Sequence, residues 1–198
     1  MRKIGLSLVL VGILGATNAV AETDGKFIGA FIGNGSSKMT LEVEGASASE
    51  SMSGVRYGVV VGTKQFFTPE FGARYYALFD AGSYEKSGTT MDTDNISANA
   101  DALYNFLSKE NMDFGAFAGL SLGYAISGNT TKVHGLDVGI NLGLRVNIAT
   151  HHGIELYSRF GLTEQKKDET IETAYFKYTQ TLKVKQPSQF GVRYTFSF

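Results

Sequence analysis

Apolar and polar residues alternate one by one in eight stretches of this chain, and a period of two is the signature of strands with one apolar face. The stretch Leu136–Asn147 is the clearest. Leu136, Val138, Ile140, Leu142, Leu144 and Val146 interleave with Asp137, Gly139, Asn141, Gly143, Arg145 and Asn147. Successive side chains of a strand point to opposite faces, so one face is wholly apolar and the other small, polar or charged. The same pattern marks Gly25–Asn34, Val55–Gln65, Phe71–Asp80, Ile96–Asn105, Phe114–Gly123, Ile154–Leu162 and Gln189–Phe198. In the first of these, Ile28, Ala30 and Ile32 compete with Phe27 and Phe31 for the apolar face. The run Val59-Val60-Val61 blurs the second.

Each stretch has about the 10 residues that a tilted strand needs to cross a bilayer's hydrocarbon. The connections alternate in length. Short ones fall near Thr68–Glu70, Leu107–Asn111 and Ala149–His152, and long ones near Gly35–Ser53, Ala81–Asn95, Ala125–His134 and Thr163–Gln186. Barrels of the outer membrane have this asymmetry, with short periplasmic turns and long external loops. The predicted fold is therefore all-β: an eight-stranded antiparallel transmembrane barrel, ten being the other even count within reach. Phe66, Phe67, Phe71, Phe106, Phe114, Phe196 and Phe198 all map near the periplasmic rim, as an aromatic girdle would.

The two ends of the chain sharpen this reading. Arg2 and Lys3 precede an apolar run from Ile4 to Ala16, which is short of the roughly 20 residues a spanning helix needs. Ala19-Val20-Ala21 follows, and the three parts together predict a signal peptide over residues 1–21, cut before Glu22. A barrel domain over residues 22–198 would remain. At the other end, Phe190, Val192, Tyr194, Phe196 and Phe198 form one apolar face that finishes on an aromatic residue, where soluble chains normally fray. That ending resembles the C-terminal signal read by the outer-membrane assembly machinery. The expected location is the bacterial outer membrane. The expected partners are its lipid, the assembly machinery and periplasmic chaperones, with the external loops as the surface a host or matrix ligand would meet.

Composition adds exclusions. With 24 glycines, 24 Phe and Tyr residues together, no tryptophan and no cysteine, the chain is no disulfide scaffold. A mean hydropathy of −0.05 is far below that of a helical membrane protein, whereas in barrels the lipid and lumen faces cancel. Eighteen basic against nineteen acidic residues leave no nucleic-acid footprint.

Four motifs point to a family. GTKQFF leading into FGARYYALFDAG (Gly62–Phe67 and Phe71–Gly82), ADALYNF (Ala100–Phe106), DVGINLGLRVNIATHHGIEL (Asp137–Leu156) and the terminal FGVRYTFSF resemble the Helicobacter-type outer-membrane proteins, the Hop and Hor group of barrels. Larger members, several of them adhesins, insert a big extracellular domain after the first strand. The interval Gly35–Ser53 is too short to fold as a domain. The resemblance thus implies a small member without the adhesin part.

The candidate chemistry lies on the inward faces. Arg56, Lys64, Arg74, Arg145, Arg159 and Arg193 share those faces with Asp80, Asp101, Asp137 and Glu155. Nearly balanced signs in so narrow a barrel predict paired charges that fill the lumen, since a wide aqueous pore takes many more strands. The expected role is structural and surface-exposed; a narrow charge-lined channel for ions or small solutes is the first alternative, and a loop-mediated adhesin the second. Glycines at every fourth position, Gly115/Gly119/Gly123 and Gly135/Gly139/Gly143, read as lumen positions left empty for bulky neighbours. His134, His151 and His152 lack any nucleophile motif beside them, so neither an enzyme, a metal site nor a cofactor is expected.

Overall fold

The computed structural model describes residues 24–43, 46–86, 88–129, 131–172 and 177–198. The N-terminal apolar run and the expected cleavage site at Ala19, Ala21 and Glu22 lie outside the described residues. Within them the chain forms nine strands: β1 (Gly25–Val43), β2 (Ala46–Phe66), β3 (Phe71–Lys86), β4 (Thr89–Lys109), β5 (Met112–Ser127), β6 (Val133–Ile148), β7 (His152–Gly161), β8 (Glu164–Glu172) and β9 (Lys177–Ser197). Every pairing is antiparallel, and β1 pairs with both β2 and β9, so the sheet closes into a barrel. β7 pairs with the C-terminal half of β9 and β8 with its N-terminal half. The two therefore share one place in the wall, which has eight strand positions.

The pleat sorts the side chains as the alternation requires. Ile28 and Ile32 stand on the outer wall, while Phe27 and Phe31 point inward, so the first strand follows its isoleucines. In β2, Val55, Tyr57, Val59 and Val61 face out and Val60 faces in. One member of the expected girdle departs from it. Phe66 turns inward, packing on Phe31, Leu103, Phe117 and Tyr157, because it shares parity with Lys64 and not with its exposed neighbour Phe67. A bulge at Asn105/Leu107 shifts the register, which leaves Phe106 and Leu107 both outward at the same rim. Phe71 stacks on Tyr104 there, with ring centres 4.7 Å apart.

The intervals expected to be long loops are largely strand. β1 and β2 pair through Val43↔Ala46, β3 and β4 through Lys86↔Thr89, and β8 with β9 fills most of Thr163–Gln186. The reason is an inversion of the barrel's chemistry partway up. In the lower part the outer wall is apolar and the interior charged. Above the level of Arg56 the outer wall carries Lys38, Ser51, Ser53, Ser83, Asp92 and Asp94. The interior there becomes apolar, with Met52, Tyr84, Met91, Val133 and Val184 buried and Met39 and Leu182 packed against them. A strand whose apolar face has switched sides keeps its period but loses the outward apolar stripe that marks a membrane span. This upper part is built like a soluble barrel standing on a membrane one.

The tight turns at the lower rim have local causes. At β2–β3, the Thr68 hydroxyl accepts from the backbone N–H of Glu70 at 3.3 Å and of Phe71 at 3.0 Å, around Pro69. At β6–β7, Ala149 and Thr150 both adopt left-handed backbone, with φ of 52° and 61°. Threonine is a poor occupant of that region, because its branched Cβ crowds the backbone. Thr150→Gly should therefore raise the unfolding free energy by about 1 kcal/mol. A shift of the urea midpoint to higher concentration in lipid vesicles would report it, and an unchanged or lower midpoint would count against it.

Candidate functional site: a charged plug across the lumen

All ten inward charges marked in the sequence lie buried inside the barrel, and they gather in two layers. The lower layer starts at Arg74 on β3. Its guanidinium meets Asp101 on β4, with Nε at 2.9 Å and Nη2 at 2.8 Å from Oδ2, and through Nη1 it also pairs with Glu155 on β7. Strands β3 and β7 are four positions apart in an eight-position wall, so this pair crosses the full width of the lumen. The second oxygen of Glu155 accepts from Nε of Arg193 on β9 at 2.8 Å. Arg145 stands directly across the ladder from Glu155 and lies over the Phe66 ring, 5.7 Å from its centre. Lys64 is the cross-strand neighbour of Arg74.

The cations of this layer also rest on aromatic faces. Arg74 sits 4.4 Å from the centre of Phe117, and Arg193 sits 4.4 Å from Tyr157 and 5.0 Å from Tyr76. Asn141 on β6 joins the layer to β4, donating to Asp101 at 3.2 Å and Asn99 at 3.1 Å, while the Tyr157 hydroxyl donates to the Asn141 side-chain oxygen at 3.2 Å. Charge-assisted hydrogen bonds and ring quadrupoles thus replace the water these cations would otherwise need. The space left beside Phe27, Lys64, Arg74, Arg145 and Glu155 is about 10 Å³, at most one water.

The upper layer holds two further pairs. Arg56 pairs with Asp80 and donates to the Tyr84 hydroxyl at 2.7 Å and to the side-chain oxygen of Gln186, and Asn95 donates to Asp80 at 3.1 Å. Arg159 pairs with Asp137 at 2.8 Å and donates to Ser121 at 3.0 Å. Arg159 lies flat on Gly139, where a β-carbon would be 2.7 Å from the guanidinium carbon. At Gly143 a β-carbon would run into the Phe117 ring and the Leu156 carbonyl oxygen. Gly135 differs, since Gln165 leaves it ordinary contact distance.

The aromatic and amide members Tyr76, Asn99, Phe117, Asn141 and Tyr157 are parts of the plug that the charge pattern alone does not single out. Their signal is parity, because each sits an even number of residues from a buried charge on its own strand, which for Phe117 is Asp113. The histidines lie at the barrel's ends, outside the plug. His134 contacts the Tyr124 hydroxyl, His151 the Ser197 carbonyl at 2.9 Å, and His152 the Tyr194 hydroxyl at 2.8 Å. Among the described residues no group of His, Cys, Asp and Glu is placed to hold a metal. Phe190, Val192, Tyr194 and Phe196 face outward from β9, the strand that closes the barrel on β1, and Phe198 directly after it is exposed as well.

The sequence profile of a family described as "Helicobacter outer membrane protein" matches residues 58–198, from the middle of β2 through the closing strand. The chain belongs to this family. Members of the Helicobacter outer membrane protein family reside in the bacterial outer membrane, and this member is an integral barrel embedded in its lipid. No curated relative matches in sequence. Among solved structures, the barrel is similar to the outer membrane protein OprG from Pseudomonas aeruginosa, at 12% identity and a TM-score of 0.51, over 91% of this chain and 99% of that one. It is also similar to outer membrane protein AlkL in lipid bilayers, at 12% identity and a TM-score of 0.50, over 95% of this chain and 98% of that one. At such identities the likeness concerns the fold alone.

Proposed function

We propose that this family member is a sealed, non-enzymatic barrel of the outer membrane, whose role is structural and whose working surface is its external end. The observation that carries this reading is the Arg74–Glu155 pair, which bridges opposite walls while Asp101, Arg193 and Arg145 close around it. A channel would need a continuous water column where these side chains meet. The projecting β1–β2 and β8–β9 hairpins, neighbours through the β1–β9 ladder, form the surface that a host or matrix ligand would meet. The outward aromatic face of β9 is what the assembly machinery would read, with periplasmic chaperones shielding it beforehand.

The competing reading is a narrow pore for ions or small solutes. Purified, refolded protein in planar bilayers should show no steady current in symmetric salt. Discrete, reproducible single-channel steps from the unaltered protein would replace the sealed barrel with the pore.

A further inference from the structure

Above the plug, Met39, Met52, Met91, Val133, Leu182 and Val184 form the apolar side of a partly open cavity of about 220 Å³, completed by polar residues at the β5–β6 turn such as Ser127 and Asn129. Its apolar core includes Tyr84, whose hydroxyl accepts from Arg56, so the cavity stands directly on the charged layers. Three of the chain's five methionines meet here. Unbranched thioethers adapt to guests of different shape and recur on surfaces that bind apolar partners. A dry cavity of roughly 150 Å³ suffices to bind benzene. The site therefore has room for one ring or one short alkyl chain.

The wall beside this cavity is where the ladder is incomplete. The last backbone bond between β6 and the β7–β8 position runs from Leu162 N–H to the Val138 carbonyl at 2.8 Å. Above it, among the described residues, no ladder joins β6 to β8. Side chains take over: the Thr163 hydroxyl accepts from Val138 N–H at 2.9 Å, and Gln165 donates to the Leu136 carbonyl at 3.1 Å. Such bonds can swing aside without unzipping a strand pair. Val133 is two residues above Gly135 on one lip, and Val184 is the register partner of Gln165 on the other. Leu136 and Leu162, exposed on the outer wall, flank the seam at the edge of the lipid-facing band.

We propose that the methionine cavity binds a single small apolar molecule, a ring or short alkyl chain, which exchanges with the membrane through the seam between β6 and β8. This goes beyond the sealed-barrel reading, because the exchange is sideways and leaves the plug closed. The test uses full-length protein in lipid nanodiscs and octanol bearing a diazirine, with adducts mapped by peptide mass spectrometry. Labelling of Met39, Met52 and Met91 should saturate and be lost under excess plain octanol, whereas labelling of lipid-facing Leu120 and Leu122 should not saturate. Because the chain has no cysteine, Gly135→Cys with Gln165→Cys makes one defined crosslink. A β-carbon at Gly135 would lie 3.6 Å from that of Gln165, a distance suited to a disulfide. With probe supplied from the bilayer, cavity labelling should be lost in the oxidised double variant and return on reduction, so one folded protein serves as its own control. Labelling of the methionines that never saturates would overturn the site, and equal labelling of the oxidised and reduced forms would overturn the route.

Discussion

Glu155→Ala should destabilise the barrel by about 3–5 kcal/mol, the usual cost of removing one partner from a buried ionic cluster. Glu155 touches both Arg74 and Arg193, and it faces Arg145 across the ladder. Without it, Arg74 retains Asp101 and Arg193 retains its aromatic faces, but the cations of the lower layer confront one another in a space that water barely enters. Urea unfolding in lipid vesicles would show the loss as a lowered midpoint. Leu142→Ala is the control, since a leucine on the lipid face exchanges protein contact for acyl-chain contact and should cost far less. The same variant probes closure. Removing the carboxylate that bridges opposite walls should let a current appear that is carried by anions, drawn by the unmatched arginines. A Glu155→Ala barrel as stable and as silent as the parent would show that the plug is held by its other members.

Gly143→Val should cost about 3 kcal/mol, at the upper end of what overpacking a core exacts. The added carbons meet the Phe117 ring, which is stacked against Tyr157 and roofs Arg74, and they meet the Leu156 backbone as well. Neither neighbour can yield without disturbing the lower layer. The natural comparison is Gly135→Ala, on the same strand and the same face, where the nearest atom is 3.4 Å away on a flexible glutamine. That change should leave the midpoint unmoved. Heat-modified mobility on gels, which separates folded from unfolded barrels, would rank the two variants, and a fully folded Gly143→Val protein with a parental midpoint would contradict the packing argument.

The membrane-spanning part of this fold was legible because its rule is simple: apolar residues outward, everything else inward. β6 states it without exception from Leu136 to Val146, and parity marks ten of the buried lumen charges but not Asp113, which precedes the first outward residue counted on β5. Parity does not mark their partners. Arg74 and Glu155 are 81 positions apart and meet only because the wall curves until β3 faces β7. Cross-lumen contacts have no period in the sequence. The upper strands read as loops for a different reason. Met39, Met52, Tyr84 and Met91 keep the alternation, but they are the inward residues of their strands, so a reader following outward apolar residues sees the signal stop. Phe66 misled in the opposite sense, as an aromatic near a rim whose parity assigns it to the interior. β8 carries Lys166, Lys167, Asp168 and Glu169 in succession, which removes alternation altogether; its strand form comes from pairing with β9.

The point on the wall where apolar gives way to polar has a consequence for how deeply the protein sits. The ladder continues past the hydrocarbon without interruption, so strand length does not limit how far the barrel could sink. The limit comes from Lys38, Asp92 and Asp94 above, and from the exposed Phe67, Phe106 and Phe198 below. Drawing a lysine on a barrel's outer face toward the bilayer midplane costs about 2–4 kcal/mol. A thicker bilayer would therefore have to thin around the barrel, since tilting or sliding would submerge charge on one side. Vertical registry is written in side chains on a scaffold that would otherwise be indifferent to depth, and the methionine cavity is thereby held just outside the lipid while its seam stays level with the lipid's edge.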